Sequence, residues 1–264
     1  MTDNFQSVKN ILLVLSGKGG VGKSSVTTQL ALSLSLQGFK VGILDIDLTG
    51  PSIPRIFQAE DSKIVQSHHG WIPVSSTNGI KLISIGFLIK DRGDSIVWRG
   101  AKKSAMIKQF ITDVNWGELD YLIIDTPPGT SDEHISIVEE LSAYREKIIG
   151  GVIVTTPQLI SLEDVRKEIN FCKLVKLEII GIVENMNGFV CPHCKECTNI
   201  FSSKGGEILA KELSLKYLGR LPIDPKYNEL VESGKLAKYQ DSEIYNEYFK
   251  IIMEQIDVRS ISKE

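Results

Sequence analysis

Ser16-Gly17-Lys18-Gly19-Gly20-Val21-Gly22-Lys23-Ser24-Ser25 is the stretch whose reading decides the fold. An apolar run, Ile11–Leu15, precedes it, and a helical pattern through Leu30, Leu32 and Leu34 follows. Gly17, then Gly22-Lys23-Ser24 at the required interval, fits a phosphate-binding loop set between a strand and a helix. Glycines let successive backbone N–H groups turn inward around phosphates, and the helix N-terminus adds a favourable dipole. In such a loop Lys23 reaches the β- and γ-phosphates and the Ser24 hydroxyl ligates Mg²⁺. The expectation is a nucleoside triphosphate lined by Gly17, Lys18, Gly19, Gly20, Val21, Gly22, Lys23, Ser24 and Ser25.

Working outward, apolar β-branched runs alternate with helical patterns, which predicts an α/β fold with a mostly parallel sheet and helices on both faces. Strands are expected at Ile11–Leu15, Val41–Asp45, Lys81–Ile85, Tyr121–Asp125, Ile148–Val154, Ile179–Glu184 and Tyr217–Leu221. Helices are expected at Lys23–Gln37, Ala101–Thr112, Asp132–Leu141, Leu162–Lys173, Lys204–Leu213 and Ser242–Asp257. Ile64–Ile80 reads as a hairpin excursion. Asn185–Ser203, rich in Gly, Cys and Asn, reads as a loop beyond a strand, where open α/β sheets bind ligands. No repeat or linker divides residues 1–264, so a single domain is expected, with its cysteine-bearing loop at about 185–203.

Composition narrows the function classes. The 264 residues are 42% hydrophobic and 24% charged, enough for a substantial core. A net charge of −3 gives no reason to expect a nucleic-acid surface. No run is long and apolar enough to span a bilayer, and the chain opens without a secretory signal pattern. Of four cysteines, Cys191, Cys194 and Cys197 cluster, whereas Cys172 stands in a helical pattern and reads as a buried apolar residue. Clustering of this kind in a nucleotide-binding protein favours metal over disulfides and a cytoplasmic location.

Three further groups carry chemistry. Asp45-Ile46-Asp47 ends the second strand, where a carboxylate beside a triphosphate can orient the attacking water. Asp125 ends an apolar strand and is the expected outer partner of Mg²⁺. Pro127 and Pro128 stiffen the turn after it, and Gly129 can approach the γ-phosphate. Guanine-specific loops carry Asn-Lys-x-Asp, which is absent here. In Cys191-Pro192-His193-Cys194-Lys195-Glu196-Cys197 the ligands are cramped for a closed tetrahedral zinc site in one chain. A two-fold dimer would place the patch against itself, giving four thiolates that suit either Zn²⁺ or a [4Fe–4S] cluster.

The loop Lys18-Gly19-Gly20-Val21-Gly22-Lys23-Ser24 resembles the deviant Walker A loop of the ATPases that include MinD, ParA, the nitrogenase iron protein and the Mrp/ApbC proteins. That resemblance implies a sandwich dimer in which Lys18 reaches the facing subunit's nucleotide. It assigns Asp47 to the attacking water, and it gives the adenine of ATP to Asn185 and a closing loop over Leu221-Pro222-Ile223-Asp224. Gly50-Pro51-Ser52, Trp98-Arg99-Gly100, the run Asp125–His134, Val183–Met186 and Cys191-Pro192-x-Cys194 together are similar to the Mrp/ApbC family of iron–sulfur cluster carrier ATPases. The similarity runs from about Asn10 to Asp224 and is nearest to the shorter eukaryotic cytosolic members.

Family resemblance then implies that Cys191 and Cys194 hold a labile [4Fe–4S] cluster between subunits, with Cys197 a weaker ligand candidate. It implies a homodimer or a hetero-complex with a longer relative, and transfer of the cluster to cytosolic and nuclear apoproteins. Catalytic roles fall to Lys18, Lys23, Asp47 and Asp125. The competing readings are a positioning ATPase of the MinD or ParA sort and a zinc-bridged nucleotide-binding adaptor.

Overall fold

The protein is described by a computed structural model covering residues 5–48, 50–88, 100–191, 194, 196–198, 200 and 204–256. Trp98, Arg99, Pro192, His193 and Lys195, singled out above, lie outside these residues, as does the side chain of Cys197.

The chain enters on β1 (Val8–Leu15), turns through the glycine-rich loop into α1 (Lys23–Leu36) and returns on β2 (Val41–Asp45). A short α2 (Ile53–Ile56) precedes the hairpin of β3 (Val65–Ser67) and β4 (Gly70–Ile72), which forms its own two-stranded sheet. The expected excursion is therefore present. Next come β5 (Val74–Ser75), β6 (Lys81–Ser84), α3 (Gly100–Thr112), β7 (Leu119–Asp125) and α4 (Asp132–Leu141). The second half runs β8 (Ile148–Thr155), α5 (Leu159–Leu174), β9 (Ile179–Val190), β10 (Cys197–Thr198), α6 (Gly205–Glu212), β11 (Tyr217–Ile223), α7 (Pro225–Glu232) and α8 (Lys250–Ile256).

Seven strands pair in parallel in the order β11-β9-β8-β1-β7-β2-β6. β10 and β5 add antiparallel, on β9 and β6 respectively. A parallel strand with helices on both faces must be apolar on both, and β1 is. Leu12 and Val14 face the core shared with α1, whereas Ile11, Leu13 and Leu15 face the opposite core beneath α3, α4 and α5. Register places Asp45 beside Asp125 on adjacent strands, so carboxylates 80 positions apart meet at one sheet end.

α1 has no solvent face over its middle, since every residue from Val26 to Leu34 is buried. Its outer side is covered by the C-terminal elements: Phe249, Ile252 and Ile256 lie in the same core, and the Tyr245 and Ser33 hydroxyls share a hydrogen bond of 2.6 Å.

The predicted helix Ser242–Asp257 is present as a continuous helical run over 243–256 that contains a π-helical turn, Tyr245–Phe249, before α8; Asp257 lies outside the described residues. Two expectations need correction. Asn185–Val190 belongs to β9 rather than to a loop, because that edge is paired by β11 and β10. Leu221–Ile223 ends a strand, and Asp224 caps α7 by accepting from the Lys226 N–H at 2.9 Å. α7 was missed although Asp224-Pro225, an N-cap followed by proline in the first helical turn, is a readable start signal.

Candidate functional site

The loop after β1 is shaped by what a side chain would strike. A Cβ on Gly17 would lie 2.4 Å from the Asp164 carbonyl carbon, so the loop rests directly on the backbone of α5. Gly22 has φ +83°, and a Cβ there would lie 2.1 Å from Asn185 Nδ2. Only glycine combines that conformation with that contact. Asn185 Nδ2 donates to the Val21 carbonyl at 2.8 Å, which puts the expected base-contacting residue against the loop itself.

Asp125 is the hub. It is fully buried and accepts from Ser24 Oγ at 2.6 Å and Thr27 Oγ1 at 2.7 Å, and the Lys23 ammonium lies 2.8 Å away. Thr27 was overlooked, yet its place one turn after Lys23 on the same helix face could have revealed it. Beside the hub, Asp45 accepts from Ser84 Oγ at 2.8 Å and from the Asp47 N–H at 3.1 Å. Burial, reinforced by the charge of Asp125 and opposed by Lys23, pushes Asp45 up to about 8. Asp47 reaches outward, accepting from the Gly50 N–H at 3.1 Å. Lys18 Nζ donates to Gln158 Oε1, at the N-cap of α5, at 3.2 Å. The Gly129 N–H donates to the Ser16 carbonyl at 2.8 Å, which closes the turn after Asp125 over the loop. Lys18, Lys23, Asp47, Asp125, Ser24 and Asn185 thus gather around one loop, while Pro222 and Asp224 lie at the end of β11.

β9 carries the other half. Its Glu184 is buried and accepts from the Gly206 N–H at 2.6 Å, from Tyr217 Oη at 3.2 Å and from Asn187 Nδ2. Beyond Asn185 the strand leads to Cys191, which is half-buried, and Cys194 is exposed. The Cys191 N–H donates to the Glu196 carbonyl at 3.0 Å, and Cys197 pairs across to Val190. Cys172 is buried and burial pushes its thiol up to about 12, a packing cysteine as expected.

A buried pair beneath the site was not anticipated from sequence. His134, in the first turn of α4, and Glu168, in the middle of α5, are 2% and 0% exposed. Burial pushes Glu168 up to about 8 and, with Lys23 adding to it against Glu133, holds His134 down at about 4. Between pH 4.5 and 8 the native state therefore keeps a proton on Glu168 that the unfolded chain has lost. This contribution to stability is complete below pH 4.5 and disappears as pH rises through 8. His134 works oppositely, between about 4 and 6.5. Replacing Glu168 by Gln should flatten the decline in unfolding free energy between pH 6.5 and 8 by up to about 1.4 kcal/mol per pH unit, read from urea melts. Equal slopes for parent and variant would contradict the assignment.

A phosphate loop between β1 and α1 of a parallel sheet, backed by a buried carboxylate hub, defines a nucleotide-binding P-loop NTPase of the MinD and ParA fold. A family model described as NUBPL iron-transfer P-loop NTPase, of the ParA group, matches residues 7–257. The chain belongs to that family. Among curated relatives, the cytosolic Fe-S cluster assembly factor CFD1 of Kluyveromyces lactis is 60% identical, covering 96% of this chain and 92% of its own. Its Saccharomyces cerevisiae namesake is 62% identical over 92% and 84% respectively. Among solved structures, a nucleotide-binding protein of Archaeoglobus fulgidus in complex with ADP is 38% identical. It superimposes with a TM-score of 0.79 over 93% of this chain and 94% of its own. MinD of Pyrococcus horikoshii, 21% identical with a TM-score of 0.66 over 97% and 99%, shares the fold.

Proposed function

We propose that the protein is an ATP-dependent scaffold that assembles a labile [4Fe–4S] cluster on Cys191 and Cys194, shared with a partner subunit, and passes it to cytosolic and nuclear apoproteins. The observation that carries this reading is β9, one continuous strand that presses Asn185 against the phosphate loop and leads directly into Cys191. A change in the loop on nucleotide binding has a short route along β9 to the thiolates. The relatives' names supply the cytosolic setting and the cargo.

The hard oxygen donors of Ser24, with Asp125 and Asp45 behind it, suit Mg²⁺. When bound, the ion neutralises charge on the β- and γ-phosphates. Ser24 would hold it, and Asp125 would turn from Lys23 towards the ion's hydration shell. Lys23 would exchange Asp125 for phosphate oxygens, Asp47 would orient water towards the γ-phosphate, and Lys18 would leave Gln158 for the nucleotide of the facing subunit. Asn185, Pro222 and Asp224 fall to the adenine side. Subunit closure around ATP, relaxed by hydrolysis, then moves the two cysteine pairs relative to each other.

Anaerobic reconstitution with iron and sulfide tests the cargo. The parent should take up both and develop visible thiolate-to-iron absorption, while Cys191→Ala and Cys194→Ala should lose it and still bind ADP. Equal iron in parent and variants, or uptake of zinc alone under these conditions, would sink the scaffold reading. A membrane-positioning role finds no support in α8, whose apolar Ile252, Met253 and Ile256 are buried against the body of the protein.

A further inference from the structure

Two buried polar side chains, His134 and Glu168, stand face to face beneath the nucleotide loop. His134 Nε2 lies 3.9 Å from Glu168 Oε1, beyond hydrogen-bond range. Neither Glu168 oxygen has a hydrogen-bond partner among the described residues, and the His134 ring has only the Pro127 carbonyl as a further partner for its N–H. The Ser131 N–H approaches His134 Nδ1 at 3.4 Å as part of a capping box. Nδ1 is then the acceptor, which leaves the proton of the neutral ring on Nε2, pointing at Glu168. Leaving such groups unpaired is costly and usually has a reason.

Where the two residues sit supplies the reason. His134 follows Asp125 by nine positions, at the end of the turn that Gly129 pins to the Ser16 carbonyl. Glu168 lies one helical turn beyond Asp164, whose backbone is the surface against which Gly17 packs. One residue therefore rides on the segment that meets the γ-phosphate, and the other on the helix that backs the phosphate loop. A shift of about 1 Å in either would bring the pair to ordinary hydrogen-bond length.

We infer that His134 and Glu168 are positioning residues: their hydrogen bond is open in the conformation described here and closes when a γ-phosphate draws in the turn after Asp125. The closed pair locks that turn onto α5, so the energy of the bond is realised with ATP and withheld with ADP. Glu168 serves as a neutral acceptor, and its negative charge plays no part. This inference rests on the nucleotide site and adds to it the device that distinguishes the triphosphate from the diphosphate.

The test compares binding of ADP and of the non-hydrolysable AMPPNP, each with Mg²⁺, by the full-length protein. Glu168→Leu should weaken AMPPNP about tenfold, within the usual range of coupling between sites, and leave ADP within about twofold. Its thermal midpoint should equal or exceed the parent's, because an unpaired buried carboxyl has been removed. Glu168→Gln offers a neutral carbonyl acceptor of the same shape and should restore the parent's preference. His134→Asn keeps an acceptor near the Nδ1 position but lacks Nε2–H, and should reproduce the Leu phenotype even if Glu168→Leu folds poorly. ADP affinity reports the phosphate loop itself, so a loss confined to AMPPNP separates this device from damage to the site. Parallel weakening of both nucleotides, no change in either, or a Gln variant that behaves like Leu would overturn it.

Discussion

Asp125→Ala is expected to lower the unfolding free energy by about 3–5 kcal/mol, the range for breaking a buried ion pair from one side. The Lys23 ammonium is only 6% exposed and would keep its burial while losing its counter-charge. The Ser24 hydroxyl would lose its acceptor as well, and the Thr27 hydroxyl would keep only the Lys23 carbonyl, 3.1 Å away. Domains of this size are stable by roughly 5–15 kcal/mol, so between about a fifth and all of the margin would go. Asp125→Asn keeps shape and one acceptor, so it should fold better and still fail in ATP turnover, because the carboxylate proposed above to organise Mg²⁺ is gone. Removing Lys23 together with the acid, as Lys23→Met with Asp125→Ala, should cost less than the sum of the single changes by about 1–3 kcal/mol. Urea melts on the four proteins decide it; additive losses would mean that the pair is not coupled.

Gly17→Ala should severely damage nucleotide binding through a single added methyl group. Its Cβ would come within 2.4 Å of Asp164 C, 2.6 Å of Asp164 O and 2.7 Å of Val165 N, all backbone atoms in a helix that cannot rotate aside. Overpacking of this kind usually costs about 1–3 kcal/mol, and here relief requires moving either α5 or the phosphate loop. ADP affinity should fall at least about tenfold, since a loop displaced by even an ångström no longer aims its N–H groups at the phosphates. Gly19→Ala is the internal control: its Cβ would make one ordinary contact, 3.9 Å from Pro128 Cγ. Its stability should change by less than about 1 kcal/mol. Calorimetric titration with ADP distinguishes the two, and equal affinities would remove the packing argument.

Both predictions concern residues that hold the nucleotide loop in place from behind, and the same is true of His134 and Glu168. In this fold the groups that would touch phosphate come from β1, α1 and the strand ends, while α5 and α4 supply the wall against which they are set. The cysteines are reached from that assembly along β9 alone among the described strands. Glu184 holds the strand to the N-terminus of α6 just before Asn185. Beyond that anchor Met186 and Gly188 adopt left-handed backbone (φ +59° and +80°), so the proposed link between nucleotide and cluster runs through this bent end of β9.

The linear order of residues determined the phosphate loop, because its glycines, lysine and serine answer to backbone conformation and charge within ten positions. It determined the central strands too, since two-sided burial forces runs such as Leu122–Asp125 to be apolar until the carboxylate at their end. Asp224-Pro225 was equally legible as a helix start and was passed over. The tertiary structure alone decided that Glu168 is buried: on α5 it sits among Glu163, Asp164, Arg166 and Lys167 and looks like part of a solvated face. Tertiary packing, which sets His134 of α4, 34 positions away, against it, takes it out of solvent. Similarly, the fate of Asn185–Val190 depended on β10 and β11 arriving from later in the chain to pair with it. Local periodicity records which side of an element is apolar. Which distant element covers that side is a fact of assembly, and so is every pKa and unpaired hydrogen bond that follows from it.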